Sequence, residues 1–147
     1  MNIREIAPTE LSELLRLYEH LHRTDDPLPP RANVEALWRE IQSDPNTKYF
    51  GLYVTDRLIA SCTIAIIRNL TRGCRPYGVI ENVVTHAEFR RRGYGRRVLH
   101  HALAYAWSRD CYKVMLMTGR KDDATFRFYE SVGFARDAKQ AFLARPD

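Results

Sequence analysis

The residues best suited to chemistry lie between Val83 and Arg97, in the string VVTHAEFRRRGYGRR. Arg90, Arg91 and Arg92 run directly into Gly93-Tyr94-Gly95, and Arg96 and Arg97 follow. An apolar run ends at Val84 just upstream, and an amphipathic run without a helix breaker extends to Asp110. That order reads strand, loop, glycine-rich turn, helix. The first amides of a helix lack intrahelical acceptors and sit at the positive end of its dipole. Glycine lets the backbone approach a ligand closely, and arginine adds forked, charged donors. The string therefore has the make-up of a phosphate or pyrophosphate site. No metal site is expected. His100 and His101 are adjacent, so they point to different sides of a helix, and no cysteine pair has ligand spacing.

The elements that must position this turn can be read from spacing. Ile3 to Ala7 reads as a short opening strand. Leu11, Leu14, Leu15, Tyr18 and Leu21 fall on one helical face, with Thr9 as the expected N-cap and a fade near Arg23. DDPLPP, from Asp25 to Pro30, is a loop because of its prolines. A second helix is expected over Asn33 to Ser43. Lys48–Val54, Leu58–Ile67 and Tyr77–Thr85 read as successive strands with short or irregular connections, hence antiparallel neighbours. After the glycines, Val98, Leu99, Ala102, Leu103 and Ala106 share a helical face. Lys113 to Thr118 is an apolar, buried strand, and the crossover into it makes a parallel, right-handed βαβ unit. Asp122 or Asp123 caps a last helix that Gly133 stops. A closing hairpin is expected, turning near Arg136-Asp137 and ending with a strand from Gln140 to Ala144. The fold class is α/β with a mixed sheet of about seven strands and about four helices. Ligands in such sheets bind beyond the C-terminal ends of parallel strands, where the glycine turn lies.

Bulk properties narrow the class. The 147 residues form one expected domain, 1–147, long enough for a full core. No apolar run reaches the length of a membrane span, which takes about 18 residues. The opening MNIREIAPTE has acids and no long apolar region, so no signal peptide is expected in it. Cys62, Cys74 and Cys111 are an odd, scattered set that reads as reduced thiols in a cytoplasmic protein. The net charge is +5, and much of the excess sits at Arg90, Arg91, Arg92, Arg96 and Arg97. Concentrated charge suits a specific anionic ligand. A non-catalytic basic module for RNA or DNA would interleave aromatics with its basic residues, and here only Tyr94 stands among the arginines. Nucleic acid and membrane are therefore not expected partners.

The order of elements, with Arg90-Arg91-Arg92-Gly93-Tyr94-Gly95 before the third helix, resembles the GNAT superfamily of acetyl-CoA-dependent N-acetyltransferases. Its phosphate motif is Arg/Gln-x-x-Gly-x-Gly/Ala. Val83-Val84 upstream and FYESVGF, from Phe128 to Phe134, strengthen the match. Ile80-Glu81-Asn82-Val83-Val84 and Cys111-Tyr112-Lys113 are similar to strings of glucosamine-6-phosphate N-acetyltransferases. Asn82 stands where that family has aspartate, and the chain near Asp122 lacks its usual asparagine. The C-terminal RKDDATFRFYESVGF is equally similar to small-amine acetyltransferases.

The resemblance implies acetyl-CoA as co-substrate and a primary amine of a small molecule as acceptor, an amino sugar, amino acid or related amine. A protein or peptide acetyltransferase is the alternative. The backbone of Arg91 to Arg96 would hold the pyrophosphate, and the side chains of Arg90, Arg91, Arg92 and Arg96 the ribose phosphate or water. Val83, Val84 and Thr85 would pair through their main chain with the thioester arm. Tyr129 matches the superfamily's general acid. Glu81 is the expected base, in an apolar strand and on Val83's face, with His86 as an alternative. Asp122 stands where relatives hold the arm with asparagine, although a helix cap also accounts for it. The loop between the first two helices would line the acceptor pocket, with His22, Asp25 and Asp26 as polar candidates. A homodimer is also implied.

Overall fold

The computed structural model describes residues 1–22 and 24–146. Strands β1 (Asn2–Glu5), β2 (Thr47–Val54), β3 (Arg57–Ile67), β4 (Tyr77–Thr85) and β5 (Val114–Leu116) form one sheet in chain order. Its helices are α1 (Leu11–Tyr18), α2 (Arg31–Ser43), α3 (Tyr94–Ser108) and α4 (Asp123–Glu130). Short 3-10 turns occupy Pro8–Glu10 and Ala87–Phe89. All strand pairs are antiparallel except β4 with β5, which is parallel as the βαβ reading requires.

Each face of the sheet carries its own core. On one face α3 lays Val98, Leu99, Ala102 and Ala106 against Ile64 and Ile80, all fully buried or nearly so. On the other, Leu14 and Leu17 of α1 and Trp38 of α2 pack with Ile6, Tyr53 and Val84. These are the apolar stripes that the helical spacing picks out. Each fully buried aliphatic side chain contributes about 1.5–3 kcal/mol, so the sheet is held on both faces and can leave one end open.

Several expectations need correction. The described residues form five strands, not about seven. The anticipated hairpin around Arg136-Asp137 and the strand from Gln140 to Ala144 do not form: residues 137–146 are exposed and outside any strand. The segment holds three alanines with Asp137, Lys139 and Pro146, residue types that disfavour strands, and Phe142 and Leu143 find no core to enter. Thr9 does not cap α1. The chain enters through the 3-10 turn, and the Glu10 carboxylate accepts from the Ala7 amide at 2.6 Å. Finally, the helix starting near Asn33 begins earlier, at Arg31, directly after Pro30. The helix expected to fade near Arg23 already ends at Tyr18, followed by a turn over residues 19–21; Arg23 itself lies outside the described residues.

Candidate active site

Two local irregularities shape the site. The first is a bulge in β4. Glu81 stands opposite Thr63 and Val84 opposite Ser61, so β4 spends three steps where β3 spends two. Asn82 takes the extra position with φ +52°, a left-handed conformation that asparagine tolerates better than most residues. The bulge resets the alternation. Thr63 and Ser61 are on one face of β3, so Glu81 and Val84 share that face, toward α1. Val83 packs on the other side with Ile80. The expectation that Glu81 shares Val83's face is therefore overturned.

The second irregularity is the short pairing of β4 with β5. Only Gly78–Ile80 pair with Val114–Leu116. Beyond Ile80 the strands part, and the β4 backbone from Glu81 to Thr85 borders a cleft of about 940 Å³. Val83, Val84 and Thr85 line it on one side. Leu116 to Arg120, after β5, line it on the other, with Phe128 and Tyr129 of α4. This is the C-terminal end of a parallel pair, as expected.

The glycine turn closes one end of the cleft. Gly93 has φ +79° as the residue before α3, which a β-carbon would strain. Gly95 faces α4 so closely that an added Cβ would lie 3.2 Å from both Phe128 Cζ and Thr85 Oγ1. Arg97 is the first residue of the turn to donate its amide back into the helix, to the Gly93 carbonyl. Among the described residues, the amides of Arg91 to Arg96 have no protein acceptor. They stand at the positive end of a 15-residue helix.

The arginines divide. Arg91 and Arg96 line the cleft with no hydrogen-bond partner among the described residues. Arg92 stacks its guanidinium over the Phe89 ring, 5.4 Å from the centroid. Arg90 turns back onto the protein: Nε donates to the Thr85 carbonyl at 3.2 Å and Nη2 to the His20 carbonyl at 2.8 Å.

Tyr129 is partly buried against Phe128 and Phe134. Burial pushes its phenol above the ordinary value; Arg120 opposes the shift and Glu81 adds to it. Glu81 is exposed on the cleft wall. Asp122 caps α4, accepting from the Thr125 amide at 2.9 Å, and pairs with Arg120 at 3.3 Å. Helix capping thus already accounts for Asp122, although it also borders the cleft. His22 lines the cleft, whereas Asp25 and Asp26 do not. His86 points away. Its Nδ1 accepts from the Glu88 amide and its Nε2 meets Arg57 at 2.8 Å, on the wall of a smaller pocket. Burial, then His20 and Arg57, lower its pKa. Sequence reasoning missed His20, Met117, Thr118 and Arg120. The last three follow β5 directly, so the rule for parallel-strand ends could have found them. Among the described residues no group of His, Cys, Asp or Glu is placed to hold a metal. No helix there is long and apolar enough to cross a membrane.

Comparison with known proteins bears on what this cleft holds. The model of the Acetyltransferase (GNAT) family matches residues 11–134. A glucosamine 6-phosphate N-acetyltransferase of Trypanosoma brucei brucei is 31% identical over 146 residues, 97% of this chain and 95% of that one. A solved chain from Agrobacterium tumefaciens str. C58 superposes with a TM-score of 0.92 at 40% identity, covering 99% of this chain and 100% of that one. The glucosamine-6-phosphate N-acetyltransferase structure from Arabidopsis thaliana has a TM-score of 0.83, with 97% of each chain covered, at 23% identity, a likeness of fold alone.

Proposed function

Because the chain belongs to the acetyltransferase (GNAT) family and is an acetyl-CoA-dependent acyltransferase, we propose that its acceptor is the primary amine of an amino sugar of the glucosamine 6-phosphate type. The near full-length similarity to the Trypanosoma enzyme carries this reading. Acetyl-CoA supplies the electrophilic thioester carbonyl and the thiol leaving group.

The chain's own groups divide the remaining work. The free amides of Arg91 to Arg96 hold the pyrophosphate, each charge-assisted hydrogen bond contributing about 1.5–3 kcal/mol. The β4 backbone from Val83 to Thr85 holds the amide arm as an added strand would. The amine nitrogen forms its bond to the carbonyl carbon as the C–S bond breaks. Glu81, from the bulge, takes the proton the amine loses, directly or through water. Tyr129, from α4, gives its phenolic proton to the departing sulfur. A phenol is already protonated at neutral pH, and burial holds the Tyr129 proton more firmly still. Asp122 holds the start of α4 and with it the bearing of Tyr129. His22 contributes to the acceptor wall. The unpaired Cys62 and Cys111 are buried thiols, which suits the reducing cytoplasm. Exposed Phe142 and Leu143 suit burial against a second copy of the chain.

The test is CoA release from acetyl-CoA with a panel of amines: glucosamine 6-phosphate, glucosamine, an aminoglycoside, a polyamine and an N-terminal peptide. Glucosamine 6-phosphate should give the highest kcat/KM. Stimulation by the peptide alone would establish the protein acetyltransferase instead.

A further inference from the structure

We infer that Arg90 is a positioning residue that couples the pyrophosphate turn to the acceptor wall. The inference rests on reading the cleft as an acyl-CoA and acceptor site. It concerns communication between its halves, not the acceptor's identity.

The geometry is specific. Arg90 opens the RRRGYG string, yet its guanidinium bridges two backbone carbonyls that belong to different walls. One is Thr85, the last residue of β4, at 3.2 Å. The other is His20, just past the end of α1, at 2.8 Å and 70 positions away in the chain. A helix C-terminus presents unpaired carbonyls at its negative end, so a guanidinium is well matched there. A lysine, with its compact ammonium, could not span both carbonyls in the same way.

Leu21 packs on the core beside α1, but little other hydrogen bonding fixes that wall to the turn. The His20 and Leu21 amides bond only back into α1, to Leu17 and Tyr18. Residues 24–30 are exposed and irregular. The His20 ring stacks obliquely on His86, centroids 4.0 Å apart, a contact that alone leaves the wall free to shift along the ring. Among the described residues, Arg90 makes the hydrogen bond that ties His20–His22 to the turn. A ligand that orders the amides of Arg91 to Arg96 also orders the residue beside them. Arg90 then passes that order to His20–His22, which lines the same cleft. Coupling of this kind is reciprocal: an acceptor settled against His20–His22 should tighten CoA to the same degree.

Amide hydrogen exchange on the full-length chain tests this with free CoA as the probe, so no acceptor need be known. In the unsubstituted chain, saturating CoA should slow exchange across His20–His22 by about fivefold or more. In Arg90→Gln the slowing should fall below about twofold while CoA affinity stays within about threefold. Arg90→Lys, which keeps the charge, should lie between the two and guards against a misfolded glutamine variant. Unchanged exchange in β3 certifies the fold of both. Once an acceptor is in hand, Arg90→Gln should raise its KM about tenfold with kcat nearly kept, a split that general loosening would not produce. Retained slowing in Arg90→Gln overturns the proposal, as does no slowing in the unsubstituted chain. A tenfold loss of CoA affinity in Arg90→Gln would also overturn it, by assigning the guanidinium to a phosphate. Failure of CoA to bind the unsubstituted chain would remove the acyl-CoA reading as well.

Discussion

Glu81 and Tyr129 line one cleft from different elements, the bulge of β4 and the last turns of α4. Burial raises the phenol first, and the charge of Glu81 adds to that shift despite the opposing Arg120. A carboxylate that stabilises the protonated phenol preserves the proton that the leaving thiolate needs. Tyr129→Phe should lower kcat by about 100-fold or more and leave acetyl-CoA affinity within about twofold. The alkaline limb of the kcat profile should lie above the ordinary tyrosine value of about 10, and it should vanish in the phenylalanine variant. Stopped-flow turnover across pH, with CoA binding by calorimetry, checks both. An unchanged kcat would return Tyr129 to a packing role.

The turn glycines should fail differently. Gly93 holds φ +79°, where alanine is strained by about 1–2 kcal/mol. Gly93→Ala should therefore lose stability in urea as well as CoA affinity. Gly95→Ala places a methyl 3.2 Å from the Phe128 ring and Thr85 Oγ1. It should push α3 from α4 and raise the acetyl-CoA KM about tenfold, close to the loss of one charge-assisted hydrogen bond, with a smaller change in the urea midpoint.

His86 sets an acid-side stability limit. The Glu88 amide donates to Nδ1 and Arg57 lies beside Nε2, and burial with His20 and Arg57 lowers its pKa below 6.5 against the opposing charge of Glu88. The folded chain therefore binds the proton less readily than the unfolded one. Its contribution is full above the unfolded pKa and is lost as pH falls from there through the folded value. His86→Gln should flatten the fall in urea midpoint between about pH 7 and pH 5. An identical slope in the variant would exclude His86 as a source.

Glu10 behaves as a carboxylate held down. Arg4 grips it through two contacts of 2.7 Å, and the Ala7 amide and Tyr53 hydroxyl also donate to it. The Arg4 bond is the main cause of a pKa lowered from 4.5 to about 2. That stability is present above the unfolded value and disappears as pH falls toward 2. Glu10→Gln should lose about 1–3 kcal/mol at neutral pH, and its acid denaturation between those limits should be shallower.

What could be read from the chain follows from where the deciding forces act. Leu11, Leu14, Val98 and Ala102 show their helices because periodicity is local. The parallel β4–β5 pair follows from the crossover through α3. The cleft at its end was legible for the same reason. The bulge was not: Asn82 at positive φ is set by pairing with β3, and nothing nearby in sequence announces it. The tie from Arg90 to His20 escaped notice because a backbone carbonyl carries no side-chain signature. The expected closing hairpin failed for the opposite reason. A turn-like Arg136-Asp137 was visible, but Gln140 to Ala144 lacks the alternating apolar face that would hold a strand in place.

The brief contact between β4 and β5, Gly78–Ile80 against Val114–Leu116, has a thermodynamic consequence. The sheet ends in a seam that its own backbone does not finish. Whatever lies along Glu81 to Thr85 completes that seam and adds its binding free energy to folding. At a ligand concentration of 100 times Kd the gain is about 2.7 kcal/mol. The concentration of acyl-CoA around the protein would then set how long β5 and α4 stay closed as well as how fast the chain turns over.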